Sequence, residues 1–348
     1  MHVTRQTIYA WIKSGRIQPV RTAGGTLRIP EDQLIAPVSQ RKDVARTDVF
    51  RVVDISHVEQ DSTEPVGTKE KFWYWENDGT KFLFKTGRPN TGDNWAEKIA
   101  SELCDLLGVP HAVYDLARWH DIRGVITRSF VPQDCRLVHG NELLAELEAG
   151  YEKTRRYKQR KHTLTLVLQI IGRNDVDSPI GWRGFDEVHS AIDVFVGYLM
   201  LDAWIANQDR HHENWAIVET IDGKKHLAPS YDHAASLGRN EVDSNRERRL
   251  ATKDSGYGMR QYVQRAKSAF YASPDDTKPM STLDAFCEAA RERTSAAHSW
   301  LRRMQGVSLV DTEVILKRLP KDEITEVEID FAQTILDLNR QRILKLGF

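Results

Sequence analysis

Asp209-Arg210-His211-His212-Glu213-Asn214-Trp215-Ala216-Ile217-Val218, followed after a turn by His226-Leu227-Ala228-Pro229-Ser230-Tyr231-Asp232, is the stretch on which the reading of this 348-residue chain depends. Asp209 and Asn214 stand five positions apart. Phosphoryl transfer uses that spacing for a carboxylate that takes the proton of an attacking hydroxyl and an amide that holds magnesium. A second carboxylate must reach the metal from beyond a short hairpin. Residues 215–218 predict one strand, Asp222-Gly223 a tight turn and residues 225–228 the return strand, which brings Asp232 back beside Asn214. The pattern assigns Asp209 as base or hydroxyl-orienting group and Asn214 and Asp232 as metal ligands. An isolated Asp and Asn in a loop more often cap turns. Here Val188, Ile192, Phe195, Leu199 and Ala203 line one helical face and deliver Asp209 from a buried element onto a loop, which favours a site.

Upstream, residues 50–55, 72–75 and 81–85 read as strands, with Asn77-Asp78-Gly79 as a hairpin turn. Asn94 can cap a helix running to Leu107, with Gly108 just past its end, and residues 125–131 return as a strand before Pro132. Lys85 ends a strand and Glu97 lies on the first turn of the next helix, so the pair is placed to grip phosphates as a lysine and its carboxylate partner. Gly67-Thr68-Lys69 precedes a strand, where a phosphate-covering loop is expected; a single glycine leaves an ordinary turn equally open. After Asn141 the pattern turns helical, over 143–147, 163–171, 188–206, 281–305, 310–319 and 330–346. Sheet followed by helices predicts an α+β, two-lobed, protein-kinase-like fold: small lobe 48–131, helical large lobe 132–348, linker 37–47 and a small winged-helix-like segment 1–36. Arg128-Ser129-Phe130-Val131 is then the hinge, contributing Arg128 and Phe130 to nucleotide binding. The basic run 155–162 and the polar stretch 239–257 read as mobile. The run could bind nucleic acid, but a solvated helix face is the commoner meaning; the cations from Arg246 to Lys267 could receive a phosphate or form another solvated face.

Asp209-Arg210-His211-x-x-Asn214 followed by Leu227-Ala228-Pro229-x-Tyr231-Asp232 resembles the HipA-type bacterial serine/threonine kinases, and its first half is also similar to phosphoinositide kinases. The resemblance is carried by Lys85, Glu97, 209–214 and 226–237 and spans residues 50–345. It implies an ATP- and Mg2+-dependent kinase acting on a Ser/Thr hydroxyl of a protein, with Arg210 and His211 supporting the catalytic loop. It also implies a place in a toxin–antitoxin system with an antitoxin or regulatory partner. Thr68 becomes a candidate autophosphorylation site. After Asp232 the run His233-Ala234-Ala235-Ser236-Leu237-Gly238 stands where eukaryotic protein kinases carry Phe-Gly, and it still resembles HipA-type sequences. A lipid or small-molecule kinase, a DNA-binding transcriptional regulator with a kinase-like body, and a metal-dependent hydrolase using His211, His212, His226, Asp232 and His233 remain alternatives.

The first block differs in character. Thr4 to Gly15 reads as a helix, and residues 17–21 and 27–30 as two strands around Gly24-Gly25. This is similar to the recognition helix and wing of excisionase or MerR-type helix-turn-helix modules, with Arg5, Gln6, Tyr9, Lys13 and Arg28 as candidate DNA contacts. Those modules normally carry an earlier helix for which three residues before Thr4 leave no room, so a remnant helix and hairpin packed on the kinase, or a chain start placed too late, stays open. The formal net charge of -1 gives no global basic field. Three widely spaced cysteines predict no disulfide framework. The longest apolar segment, 191–206, contains Asp193 and Asp202 and is too short to span a bilayer. A cytoplasmic protein without membrane attachment is expected.

Overall fold

The computed structural model describes residues 20–21, 27–28, 48–63 and 70–347, and the chain divides into two units, Met1–Arg46 and Thr47–Phe348. In the first, β1 (Val20–Arg21) and β2 (Leu27–Arg28) pair antiparallel, with Val20 opposite Arg28. These are the two expected wing strands. The helix expected over Thr4 to Gly15, and with it Arg5, Gln6, Tyr9 and Lys13, lies outside the described residues, as do Gly67, Thr68 and Lys69. Arg28 is described only as backbone of β2.

The second unit begins with a six-stranded sheet: β3 (Val52–Asp54), β4 (Ser62–Thr63), β5 (Lys71–Trp75), β6 (Lys81–Thr86), β7 (Tyr114–Trp119) and β8 (Ile122–Arg128), in the order β3-β7-β8-β6-β5-β4. All pairs are antiparallel except β3 with β7. Alternation decides which way each side chain points. Phe72, Tyr74, Phe82 and Phe84 share one face and cluster with Trp119, with Phe72 and Phe84 ring centroids 5.3 Å apart. Lys85 therefore turns to the opposite face, towards helix α1 (Asp93–Leu107). Gly124 lets β8 lie close against this point, since a Cβ there would fall 2.4 Å from the Lys85 carbonyl oxygen. α1 starts after Gly92, and no side chain caps it; Asn94, expected as the cap, lies inside the first turn. Its C-terminal end is as expected, with Gly108 left-handed at φ 72°.

The rest is mainly helical: β9 (Arg136–His139), α2 (Gly140–Leu147), α3 (Leu164–Ile171), β10 (Val176–Asp177), α4 (Ala191–Ile205), β11 (Ala216–Glu219), β12 (Lys225–Leu227), α5 (Asp243–Ala251), α6 (Met259–Gln264), α7 (Thr282–Glu292), α8 (Thr294–Gln305), α9 (Leu309–Lys317) and α10 (Glu326–Leu344). α4 is buried on every face, not on one stripe, with α7, α8 and α10 packed against it. Its two carboxylates survive burial because each meets an arginine, Asp193 with Arg293 at 2.7 Å and Asp202 with Arg210.

Three expectations about this half change. The helix expected over 281–305 is two, broken where Arg293 leaves helical geometry and sends its side chain to Asp193. The large lobe also holds a four-stranded sheet, ordered β10-β12-β11-β9. The polar stretch 239–257 contains α5, where Arg246 is buried against Asp243 (2.7 Å) and Glu328 (3.1 Å). Among the described residues no helix is long and apolar enough to cross a membrane, and Cys104, Cys135 and Cys287 are free thiols.

Candidate active site

α4 stops at Ala206, in left-handed conformation at φ 54°, and the chain leaves the core as the loop 207–215. Asp202, one turn before that stop, anchors the loop. Its carboxylate accepts from Arg210 Nε and Nη2 (the latter 2.8 Å) and from Asn207 Nδ2 (2.8 Å). Arg210 Nη1 donates to the Asn214 carbonyl at 3.1 Å, so this buried guanidinium braces the loop backbone and does not face a phosphate. Asn214 Nδ2 donates to the Asp209 carbonyl at 2.6 Å. That oxygen can only accept, so the amide orientation is fixed and Asn214 Oδ1 is the atom offered outward. Asp209 itself is half-buried.

His211 holds the turn. The Glu213 amide donates to its Nδ1 at 3.2 Å, which puts the ring proton on Nε2, 3.9 Å from Asp209 Oδ1. Burial pushes His211 and His212 down to about 4 each and His162 to about 3. All three are neutral at physiological pH. His162 accepts from Trp215 Nε1 at 3.1 Å, and His212 hydrogen bonds to Tyr151 at 2.7 Å.

The β11–β12 hairpin forms as expected, with Ile217 opposite Leu227. It returns the chain to Asp232, itself left-handed at φ 59°. There the two lobes meet: Lys85 Nζ lies 2.7 Å from Asp232 Oδ1 and 3.7 Å from Glu97 Oε2, beneath the Tyr114 ring. Burial alone would push the Lys85 ammonium down; Asp232, then Tyr114 and Glu97, outweigh it and hold the group well above its usual range. Burial likewise opposes the Glu97 charge, but Lys85 and the His233 contact keep its carboxyl below the usual value.

Glu97 does more than face Lys85. Its carboxylate accepts from the His233 amide (2.7 Å) and the Ala234 amide (3.2 Å), the two residues after Asp232. His233 Nε2 hydrogen bonds to Ser230 Oγ (2.7 Å), which accepts from Arg210 Nη2 (3.0 Å). Asp202, Arg210, Ser230, His233, Glu97, Lys85 and Asp232 thus form one continuous polar chain from the core helix to the small-lobe strand. A second tie runs beside it, from Asp93 on α1 to buried Arg239, with the Gly92 amide donating to the Arg239 carbonyl at 3.0 Å.

Lys85, Glu97 and Asp232 are therefore brought into contact, and the bonds from Arg210 to Ser230 and from Tyr231 to the Glu213 carbonyl tie the loop that carries Asp209 and Asn214 to the segment just before Asp232. Phe130 contacts the Tyr231 ring at 5.5 Å, whereas Arg128 is an exposed residue at the end of β8. Sequence reasoning missed Asp202, Ser230, Arg239 and the structural part played by His233. A charged residue inside the apolar run 191–206 was the available sign for Asp202. The histidines put forward for a hydrolase are otherwise engaged, His226 with the Ser178 carbonyl (3.0 Å) and His233 with Ser230. Among the described residues no group of three or more His, Cys, Asp or Glu is placed to hold a metal. A cavity of about 750 Å³ beside Trp182, His226 and Arg293 contains none of Lys85, Glu97, Asp209, Asn214 and Asp232.

A helix-turn-helix domain family matches residues 1–42. No curated protein matches the chain. Among solved structures, the Helicobacter pylori proinflammatory kinase CtkA is similar at 16% identity and a TM-score of 0.64, over 86% of this chain and 100% of that one. A chain from the complex of HipA, HipB and operator DNA of the Shewanella oneidensis MR-1 toxin–antitoxin system is similar at 11% identity and a TM-score of 0.52, over 100% of this chain and 83% of that one. The fold is that of these kinases, a sheet-rich lobe followed by a helical one.

Proposed function

We propose that the chain is a HipA-like, ATP- and magnesium-dependent protein kinase acting on serine or threonine. The observation that carries this is the convergence on Asp232: Lys85 arrives from 147 residues away with Glu97 behind it, while Ser230 and Tyr231, just before Asp232, are bonded to the loop that bears Asp209 and Asn214. A buried lysine gripped by two carboxylates suits a polyphosphate better than a structural ion pair, because Asp232 keeps about a third of its side chain (36%) exposed.

The donor set fits magnesium. Asn214 Oδ1 and the Asp232 carboxylate are two hard oxygen ligands, and a magnesium site of this kind is completed by substrate phosphates and water. Bound there, the ion would neutralise charge on the transferring phosphates. Lys85 binds phosphate oxygens and Glu97 orients it. Asp209 orients the acceptor hydroxyl and receives its proton as the oxygen bonds to the γ-phosphorus and the bond to ADP breaks, the electron pair leaving with ADP. Neutral His211 holds the turn that presents Asp209 and takes no proton itself. Phe130 and Arg128 are assigned to the nucleotide base and its surroundings, and Gly67, Thr68 and Lys69 to the phosphate-covering loop. Thr68 is the proposed autophosphorylation site.

The helix-turn-helix match supports association with duplex DNA through residues 1–42, with an antitoxin-like protein as partner in a cytoplasmic toxin–antitoxin setting. Incubating the chain with γ-labelled ATP, magnesium and a cytosolic extract tests the main reading. Label enters protein bands, and Thr68 in the chain itself, with the native enzyme only; label in lipid or small molecules alone would overturn the protein-acceptor assignment.

A further inference from the structure

The basic run that reads from sequence as a mobile, solvated face is folded directly onto the catalytic loop. Tyr151 hydrogen bonds to His212, Arg156 Nε pairs with Glu213 Oε2 at 2.6 Å, and His162 stacks on Trp215. Asn141 Nδ2 holds the Lys153 carbonyl at 3.1 Å and Gln159 Nε2 the Glu152 carbonyl at 2.9 Å. Between these anchors the tip is turned outward. Lys158 is left-handed at φ 56°, and Tyr157 is 62% exposed with its ring edge-on to His211 at 6.1 Å. The tip thus reaches the base through His211, whose Nε2 lies 3.9 Å from Asp209 Oδ1, and partial burial, then the Asp209 carboxylate, push the Tyr157 phenol up.

The charges on this tip are uneven. Arg156 and Lys161 are spent on Glu213 and Glu148, and Arg155 lies 3.4 Å from Glu152. Lys153, Lys158 and Arg160 are exposed, and no described carboxylate pairs with them. Three unpaired cations on a rigid loop next to the base form a local positive field on a chain whose net charge is -1. Structural ion pairing does not use them, and the anchors tie the segment that carries them to the loop bearing Asp209.

We infer that the 151–162 loop is the acceptor-recognition platform, with Tyr157 as its contact surface and Lys153, Lys158 and Arg160 selecting a Ser/Thr segment flanked by acidic residues. This rests on the protein-kinase reading and adds the substrate class to it. The test is transfer of labelled phosphate into a positional peptide library with a fixed Ser/Thr centre and each flanking position made acidic, basic or neutral in turn. The native chain prefers Asp/Glu at one or more flanking positions by about tenfold, equivalent to ~1.4 kcal/mol. The K158E/R160E variant inverts that preference, raising KM for acidic peptides and improving transfer to basic ones. A flat profile with active native enzyme, or a variant that slows all peptides alike, would overturn the inference and leave the kinase reading standing. Label entering an oligonucleotide and no peptide, or no peptide label while ATP is still bound, overturns both.

Discussion

The catalytic loop and the small-lobe arm reach the same carboxylate by opposite means. The shape of loop 207–215 is set by near neighbours in the chain, Asn214 to Asp209, Glu213 to His211, and Arg210 to Asp202 eight residues back, with residues 151–162 packed against it from outside. Lys85 and Glu97 are held by contacts spanning 147 and 136 residues. Local bonds shape the loop once α4 and the hairpin exist, and the 151–162 segment then clamps it. The arm is fixed only when the two lobes close on each other. The loop should therefore respond to mutation as a structural unit, and the arm chiefly as a functional one.

Replacing Asp209 with alanine separates chemistry from folding most sharply. Phosphate transfer falls about 10²–10⁴-fold, while the melting temperature hardly moves because the Asn214 bond goes to the Asp209 backbone. A large loss of stability would show that the loop depends on the Asp209 side chain. Arg210→Ala does the reverse, stranding the buried Asp202 carboxylate and costing roughly 3–5 kcal/mol, read as a lower denaturant midpoint. An Arg210→Ala protein of native stability would contradict the anchor.

Acid should weaken the loop side as well. His162, His211 and His212 have folded values of about 3, 4 and 4, below the ordinary histidine value near 6.5. The unfolded chain takes protons first as pH falls, so stability is complete above about pH 6.5 and is lost progressively towards pH 4, by roughly 3 kcal/mol for each ring. Melting scans from pH 7 to pH 5 check this; a flat Tm would mean these rings are solvated. On the arm, Glu97→Gln keeps an oxygen for only one of the His233 and Ala234 amides, turns an NH2 towards the other and removes the charge facing Lys85. Catalytic efficiency is expected to fall about tenfold or more, the ~1.4 kcal/mol scale of one charged contact, with a lowered Tm from the unsatisfied buried amide.

The same contrast explains what could be read from the sequence. The Asp209-to-Asn214 spacing and the hairpin turn at Asp222-Gly223 are short-range patterns, and residues 216–219 and 225–227 form the strands they predict. Lys85 and Glu97 were legible only through their order along the chain. The bonds from Glu97 to the His233 and Ala234 amides depend on how α1 packs, which no local period encodes. β7 was missed because Tyr114–Trp119 is a strand made by its neighbours β3 and β8. The exposed-looking polarity of 239–257 hid α5, whose buried Arg246 is charge-compensated by a carboxylate from α10. The basic run 155–162 misled for a similar reason: its anchors are His212, Glu213 and Trp215, more than fifty residues downstream.

The most direct measurement is calorimetric titration of ATP, with and without magnesium, into the native chain, Asp232→Asn and Asp209→Asn, alongside phosphate transfer by each. Native protein should bind ATP more tightly with magnesium, Asp232→Asn should lose that dependence, and Asp209→Asn should bind like the native chain yet transfer almost nothing. ATP binding that ignores both magnesium and Asp232 would contradict the assignment of this site.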